Sequence, residues 1–153
     1  VTPLREAIPT RFYVLAIVRR GDKFLVVQER KHGNTWYLPA GRVEAGESLT
    51  AGARRETIEE AGVSIELDGI LRVEHTVIGK RQARIRVFFL GHAIDDRPPK
   101  QIADEHSLSA RWVTLEELQG LTLRDDEVRE LFEAVVRGIH IAPIELLETL
   151  WRD

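Results

Sequence analysis

Glu56, Glu59 and Glu60 fall within five consecutive residues. A separation of four sets Glu56 and Glu60 one helical turn apart, with Glu59 beside them, so a helix can direct all three carboxylates at one volume. Three such charges repel one another, and a helix with nothing bound gains little from gathering them. A divalent cation reverses that balance. Hard carboxylate oxygens suit magnesium or manganese, with substrate phosphates filling the remaining coordination positions. The plain alternative is a solvated acidic helix face, and carboxylate spacing alone does not separate the two.

The surrounding residues do. Gly41, Glu47 and the run Arg55-Glu56-Thr57-Ile58-Glu59-Glu60-Ala61-Gly62-Val63 span 23 residues. Together they resemble the signature of the Nudix hydrolases, with every charged and glycine position of that signature present. Thr57 is the one departure, at a place where the family usually has an aliphatic residue. The resemblance continues, less densely, over most of the chain. It implies an α/β (α+β) fold of the Nudix type, a mixed β-sheet sandwiched between α-helices. It also implies a metal-dependent enzyme that cleaves a phosphoanhydride in a nucleoside diphosphate linked to some other group.

The same resemblance implies roles for particular residues. Glu56, Glu59, Glu60 and the Ala40 carbonyl would hold Mg2+, with Mn2+ as the other candidate. Arg55 would orient one of the helix acids, and its rigid fork suits paired hydrogen bonds to a carboxylate. Glu47 would stabilise the loop and the acid cluster, and Gly41 and Gly62 would support the motif structurally. Asp104-Glu105-His106, followed by Ala110-Arg111-Trp112-Val113, resembles the segment that delivers a further acid beside the metals. Glu105 is the choice there and Asp104 the alternative; an exposed acidic loop would explain the same residues. The base that activates water would be Glu56, Glu59 or Glu105.

The elements that must position these groups can be read in order. Residues 1–10 form an irregular lead-in with Pro3 and Pro9. Phe12 to Val18 and Phe24 to Val27 read as two strands of a hairpin around Arg20-Gly21-Asp22-Lys23. Gln28 to Thr35 reads as a loop. Ser48 is the expected cap of the acid-bearing helix and Gly62 its terminator. Ala51 and Ile58, projecting away from the acids, are expected to anchor that helix to a sheet. Ser64 to Ile78 and Ala83 to Leu90 read as strands, the first interrupted at Asp68-Gly69. Thr114 and Glu117 form an expected capping box. Asp125 to Arg137 carries the apolar stripe Val128, Leu131, Phe132, Val135 and Val136 of an amphipathic helix. Pro143 is expected to open a last helix, whose Ile144, Leu147, Leu150 and Trp151 would pack on the domain or on a second subunit of a homodimer.

Composition narrows the function classes. The length of 153 residues suits one domain, 1–153, and the 43% hydrophobic and 31% charged fractions are those of a globular protein. There is no cysteine, hence no thiolate nucleophile, disulfide or cysteine-held zinc, which suits a cytoplasmic setting. No apolar run approaches a membrane span, and the opening residues show no signal-peptide core. A formal net charge of −3 without a long basic block argues against binding long nucleic acid. A small nucleotide held through metal is compatible with all of this.

Substrate choice is less legible. Trp36 and Tyr37 could stack on a base or serve as core and rim aromatics, and Arg84 and Arg86, which share one strand face, could meet phosphate or water. Ile78 stands sixteen residues beyond Gly62, where ADP-ribose members of the family usually carry proline. Trp36 to Arg42, Val73-Glu74, Val87 to Leu90 and Ser107-Leu108 resemble the oxidised-guanine nucleoside diphosphatase branch. That resemblance puts an (8-oxo)guanine nucleoside di- or triphosphate first. An ADP-ribose or nucleotide-sugar pyrophosphatase is the alternative within catalysis. A non-catalytic nucleotide-sensing module is the alternative outside it, disfavoured because all three helix acids are intact.

Overall fold

The computed structural model describes residue 1 and residues 4–153; Pro3, in the expected lead-in, lies outside the described residues. Strands β1 (Thr10–Arg20) and β2 (Lys23–Gln28) form the expected hairpin, with Gly21 in the left-handed region at its turn. β3 (Trp36–Tyr37) lies against β2, while β4 (Ala40–Arg42) pairs antiparallel with the first half of β1. The long strands β5 (Ile65–Ile78) and β6 (Gln82–Ala93) form a second hairpin, and β6 runs parallel to β1. β7 (Ser109–Thr114) pairs with β2. The result is a mixed sheet in the order β3-β2-β1-β6-β5, with β4 and β7 attached to β1 and β2.

Helices cover both faces of this sheet, so β1 is apolar on both sides. Leu15 and Ile17 join Phe24, Phe88, Val128 and Phe132 beneath α2 (Leu115–Leu118) and α3 (Glu127–Val136). The rings of Phe24 and Phe132 stack there with centroids 4.3 Å apart. On the opposite face Val14 meets Ala53, Val87 and Phe89 under α1 (Leu49–Ala61), and Ala16 and Val18 meet Ala61 and Val63.

The face that α1 buries differs from the expected one. Ala51 is exposed and Ile58 is 49% exposed, whereas Gly52, Ala53, Thr57 and Ala61 are turned to the sheet. Positions 53, 57 and 61 repeat every four residues, and their small side chains let the helix lie close to β1. Thr57, the departure from the family pattern, is fully buried and satisfies its hydroxyl by donating to the Ala53 carbonyl at 2.8 Å. Glu60 lies on the same buried side, which brings one acid into the protein rather than out to water.

Two C-terminal expectations are also corrected. Val136 is exposed, because only Val128, Leu131, Phe132 and Val135 fall on the covered stripe of α3. Pro143 opens no α-helix. Ala142 exchanges both backbone hydrogen bonds with Ile70 of β5, each at 2.9 Å, and this pairing holds the chain extended up to Pro143. A short 3-10 turn, Ile144–Leu146, follows; Ile144 and Leu147 pack near Val14 and Phe89, while Leu150 and Trp151 are exposed. A side chain at Gly69 would collide with Ile141, so the irregularity read at Asp68-Gly69 is the place where this segment crosses β5 closely.

Candidate active site

The acid-bearing helix is capped at both ends by the residues expected. The Ala51 N–H donates to Ser48 Oγ at 3.2 Å, and Gly62, left-handed at φ 68°, closes the helix onto the Ile58 carbonyl. Arg55 is the hub of the loop-helix junction. Its Nε and Nη2 donate to the two Glu47 oxygens at 2.7 and 2.9 Å. Its Nη1 donates to Glu56 at 2.9 Å and to Glu59 at 3.1 Å, and Nη2 also reaches the Arg42 carbonyl at 3.1 Å. Every guanidinium N–H therefore has an acceptor. The bonds to Arg55 hold the Glu47 carboxyl below the ordinary carboxylate range.

Glu60 has a different environment. It is 8% exposed, accepts one hydrogen bond from the Ala40 N–H at 2.9 Å, and has no cationic partner among the described residues. Burial, with the neighbouring charges of Glu56 and Glu29 adding to it, pushes its carboxyl up to about 9 against the opposing Ala40 bond. Burial also raises Glu56, with Arg55 pulling the other way. Of the three helix acids, Glu56 and Glu60 face one recess, and Glu59 is turned to Arg55. Glu56 and Glu59 accept from Arg55, and Glu60 accepts from the Ala40 amide. Accordingly, among the described residues no three acidic or imidazole side chains stand in a ready-made cation-binding arrangement.

The donor set still fits a hard divalent cation. Glu56, Glu60, Glu29 and Glu105 border one recess of about 280 Å³ together with Ala40 and His106, with Arg30 and Lys31 also in its wall. Its buried carboxyl without a positive partner is what a cation would compensate.

The loop after β6 is tied to the C-terminal end of α1. Lys100 Nζ donates to the Glu59 carbonyl, and Ser107 Oγ donates to the Glu60 carbonyl at 2.5 Å. The Asp104 carboxylate accepts from Lys100 at 2.8 Å and from the His106 and Ser107 amides, and the Lys100 bond above all pulls it down to about 2. Asp104 thus holds the loop, whereas the Glu105 side chain is 85% exposed at the rim of the acid recess.

A second recess of about 220 Å³ adjoins the first and shares Glu29 and Ala40 with it. Tyr37 lines it but is only 4% exposed. Its hydroxyl donates to Glu127, and the Arg124 guanidinium lies 4.6 Å from its ring centroid. Burial, followed by that bond to Glu127, pushes the phenol well above its usual range. Trp36 borders neither recess; it packs against the core with Arg111 over its ring. Arg86 is held by both oxygens of Glu127, at 3.0 and 2.9 Å, and by Glu74 at 2.8 Å, so it faces carboxylates rather than water. Arg84 lines the recess with its Nε buried and without a partner. Glu29, Lys100, Arg124 and Glu127 share no sequence spacing with the acid motif, so only the fold reveals them, as it does the bond from Ser107 to the helix.

A mixed sheet between helices, with one arginine bracing the acids of a short capped helix, defines a Nudix-type sandwich. The NUDIX domain family model matches residues 9–135, and the chain belongs to that family. Phosphatase NudJ of Escherichia coli (strain K12) is 32% identical over 136 residues, covering 88% of each chain. Among solved structures, a NUDIX hydrolase from Nitrosomonas europaea superposes with a TM-score of 0.77 at 25% identity, covering 92% of this chain and 97% of its own. An ADP-ribose pyrophosphatase from Streptococcus suis 89-1591 reaches 0.65 at 21% identity, covering 86% and 95%, and shares the fold. Among the described residues no helix is long and apolar enough to cross a membrane.

Proposed function

We propose that residues 1–153 act as one catalytic domain that hydrolyses a phosphoanhydride bond in a nucleoside diphosphate derivative with the help of Mg2+, or Mn2+ in its place. The observation that carries the reading is the saturation of Arg55 by Glu47, Glu56, Glu59 and the Arg42 carbonyl beside a buried Glu60 with no cationic partner among the described residues. This is costly for stability alone, because burying a carboxylate without a cation is penalised. It suits a centre built to receive positive charge.

Glu56, Glu59, Glu60, Glu105 and the Ala40 carbonyl would hold the cation. When bound, it supplies charge neutralisation at the pyrophosphate oxygens and makes water more acidic. Arg55 holds and aims Glu56 and Glu59 through its Nη1 hydrogen bonds. Glu105, on an exposed loop anchored through Lys100 and Ser107, is free to reach an attacking water. Glu56, Glu59 and Glu105 are the candidate bases, and the competent one must come within hydrogen-bond reach of that water.

The substrate class we place first is a nucleoside diphosphate linked to a second polar group, as in ADP-ribose or a nucleotide sugar. This ranks it ahead of the (8-oxo)guanine nucleotide favoured from the sequence. The recess beside the acids is walled by Arg84, Arg86 and Arg124, and the buried ring of Tyr37 offers no open face for a base. The test is kcat/KM for ADP-ribose, UDP-glucose, 8-oxo-dGDP, 8-oxo-dGTP and dGTP with magnesium. ADP-ribose or UDP-glucose should lead by at least about tenfold, or about 1.4 kcal/mol of transition-state preference. An 8-oxoguanine nucleotide leading by that margin would overturn the substrate class and leave the hydrolase standing.

A further inference from the structure

A third recess continues from the second. The two share Tyr13 and Arg84, and the third adds Arg11, Gln82 and Ile78. The acid centre, the middle recess and this end recess therefore form one trough. Arg11 of β1 and Arg84 of β6 stand directly opposite each other in the parallel register, so their side chains occupy the same sheet face. Like charges directly opposite destabilise a sheet. Of the other guanidiniums along it, Arg86 is compensated by Glu74 and Glu127 and Arg124 by Glu29, while Arg30 at the acid centre donates its Nε to the Asp104 carbonyl at 2.7 Å. Arg11 and Arg84 have no carboxylate partner among the described residues, and the buried Nε of Arg84 has no hydrogen-bond acceptor. Such an arrangement suits an oxyanion.

We propose that Arg11 and Arg84 form a subsite for a second anionic group of the substrate, a phosphate or carboxylate carried on the part remote from the scissile pyrophosphate. The Arg84 guanidinium binds it from the inner side, and Arg11 approaches from the rim. The substrate is then a nucleoside diphosphate derivative that carries a further charged group away from the pyrophosphate, on its nucleoside or on the linked moiety. This rests on the hydrolase reading above, which assigns the reacting end of the trough.

Two matched pairs test it: ADP-ribose 2′-phosphate against ADP-ribose, and UDP-glucuronate against UDP-glucose. The first pair adds a phosphate and the second a carboxylate, so the pairs distinguish the two anions. The quantity read is the ratio of kcat/KM within each pair, with dissociation constants for the same four compounds measured in parallel by calorimetry. In the wild-type chain at least one charged member should be preferred by at least about tenfold, the scale of one charge-assisted hydrogen bond. In Arg84→Gln and Arg11→Gln that ratio should fall toward one, and Arg84→Lys should retain part of it. A variant that merely damages the fold lowers both members of a pair and leaves the ratio intact. Ratios near one in the wild type, or ratios that persist in both glutamine variants, overturn the subsite while leaving the hydrolase reading in place. If none of the four is hydrolysed, the substrate class proposed above fails. The calorimetric ratios then decide the subsite by the same criterion, and absence of binding counts against it.

Discussion

Gly41 lies directly against the Glu56 carboxyl: a Cβ at position 41 would occupy the volume that this carboxyl fills. The strand β4 and the helix α1 thus meet at a point where only glycine leaves the acid its position. The obstructed atoms are the far end of a flexible side chain, so the fold can yield there while the acid is displaced.

Gly41→Ala should therefore separate activity from stability. We expect a melting temperature within a few degrees of wild type, since the shift of one surface-reaching carboxyl costs roughly 1 kcal/mol. Hydrolysis should fall by at least about tenfold, as misplacement of a reacting group by about 1 Å costs up to about 100-fold. A variant with full activity would show that Glu56 is not needed where it stands.

The acidic loop offers a second separation. Asp104 accepts from Lys100 and two amides, whereas Glu105 has no strong partner and projects at the recess. Asp104→Asn should lower thermal stability measurably. Glu105→Gln should leave the melting temperature unchanged and reduce kcat by at least about tenfold, toward the low end of general acid–base contributions. If Asp104→Asn abolishes turnover and Glu105→Gln does not, the distal acid is Asp104.

Glu60 sets a pH dependence in the metal-free chain. Its carboxyl is raised from 4.5 to about 9 on folding. Between those values the folded chain holds the extra proton, so stability falls as pH rises through that window, by at most about 1.4 kcal/mol per pH unit. Urea unfolding without metal from pH 5 to 9 should show the decline, and Glu60→Gln should flatten it. The apparent affinity for magnesium should rise over the same window, because the cation must displace that proton. Asp104 acts in the opposite sense and lower: its contribution is present above 3.8 and is lost as pH falls toward 2.

The caps at Ser48, Gly62 and Thr114 were legible because they depend on local chemistry. The β1–β2 hairpin was legible because its turn and its alternation are short-range. The buried face of α1 was not: Ala51 and Ile58 look like anchors by angle, but the sheet accepts only the small residues Ala53, Thr57 and Ala61. The distribution of the helix acids was also hidden. Their spacing permits convergence, but which of them meet depends on Arg55 and on the Ala40 amide, which comes from strand β4. The Arg86–Glu127–Tyr37 network joins residues up to 90 positions apart, and no local pattern encodes it.

The account stands most directly on metal-dependent turnover through the helix acids. Chain stripped of metal by chelation should be assayed on its best substrate while magnesium is titrated back, for wild type and for Glu60→Gln. Activity should be absent without metal and should return with magnesium in the wild type. The folded Glu60→Gln variant should remain at least about 100-fold lower at saturating magnesium, the scale of a lost electrostatic contribution at the reacting centre. Full turnover of the wild type in metal-free buffer, or wild-type turnover by Glu60→Gln, would contradict it.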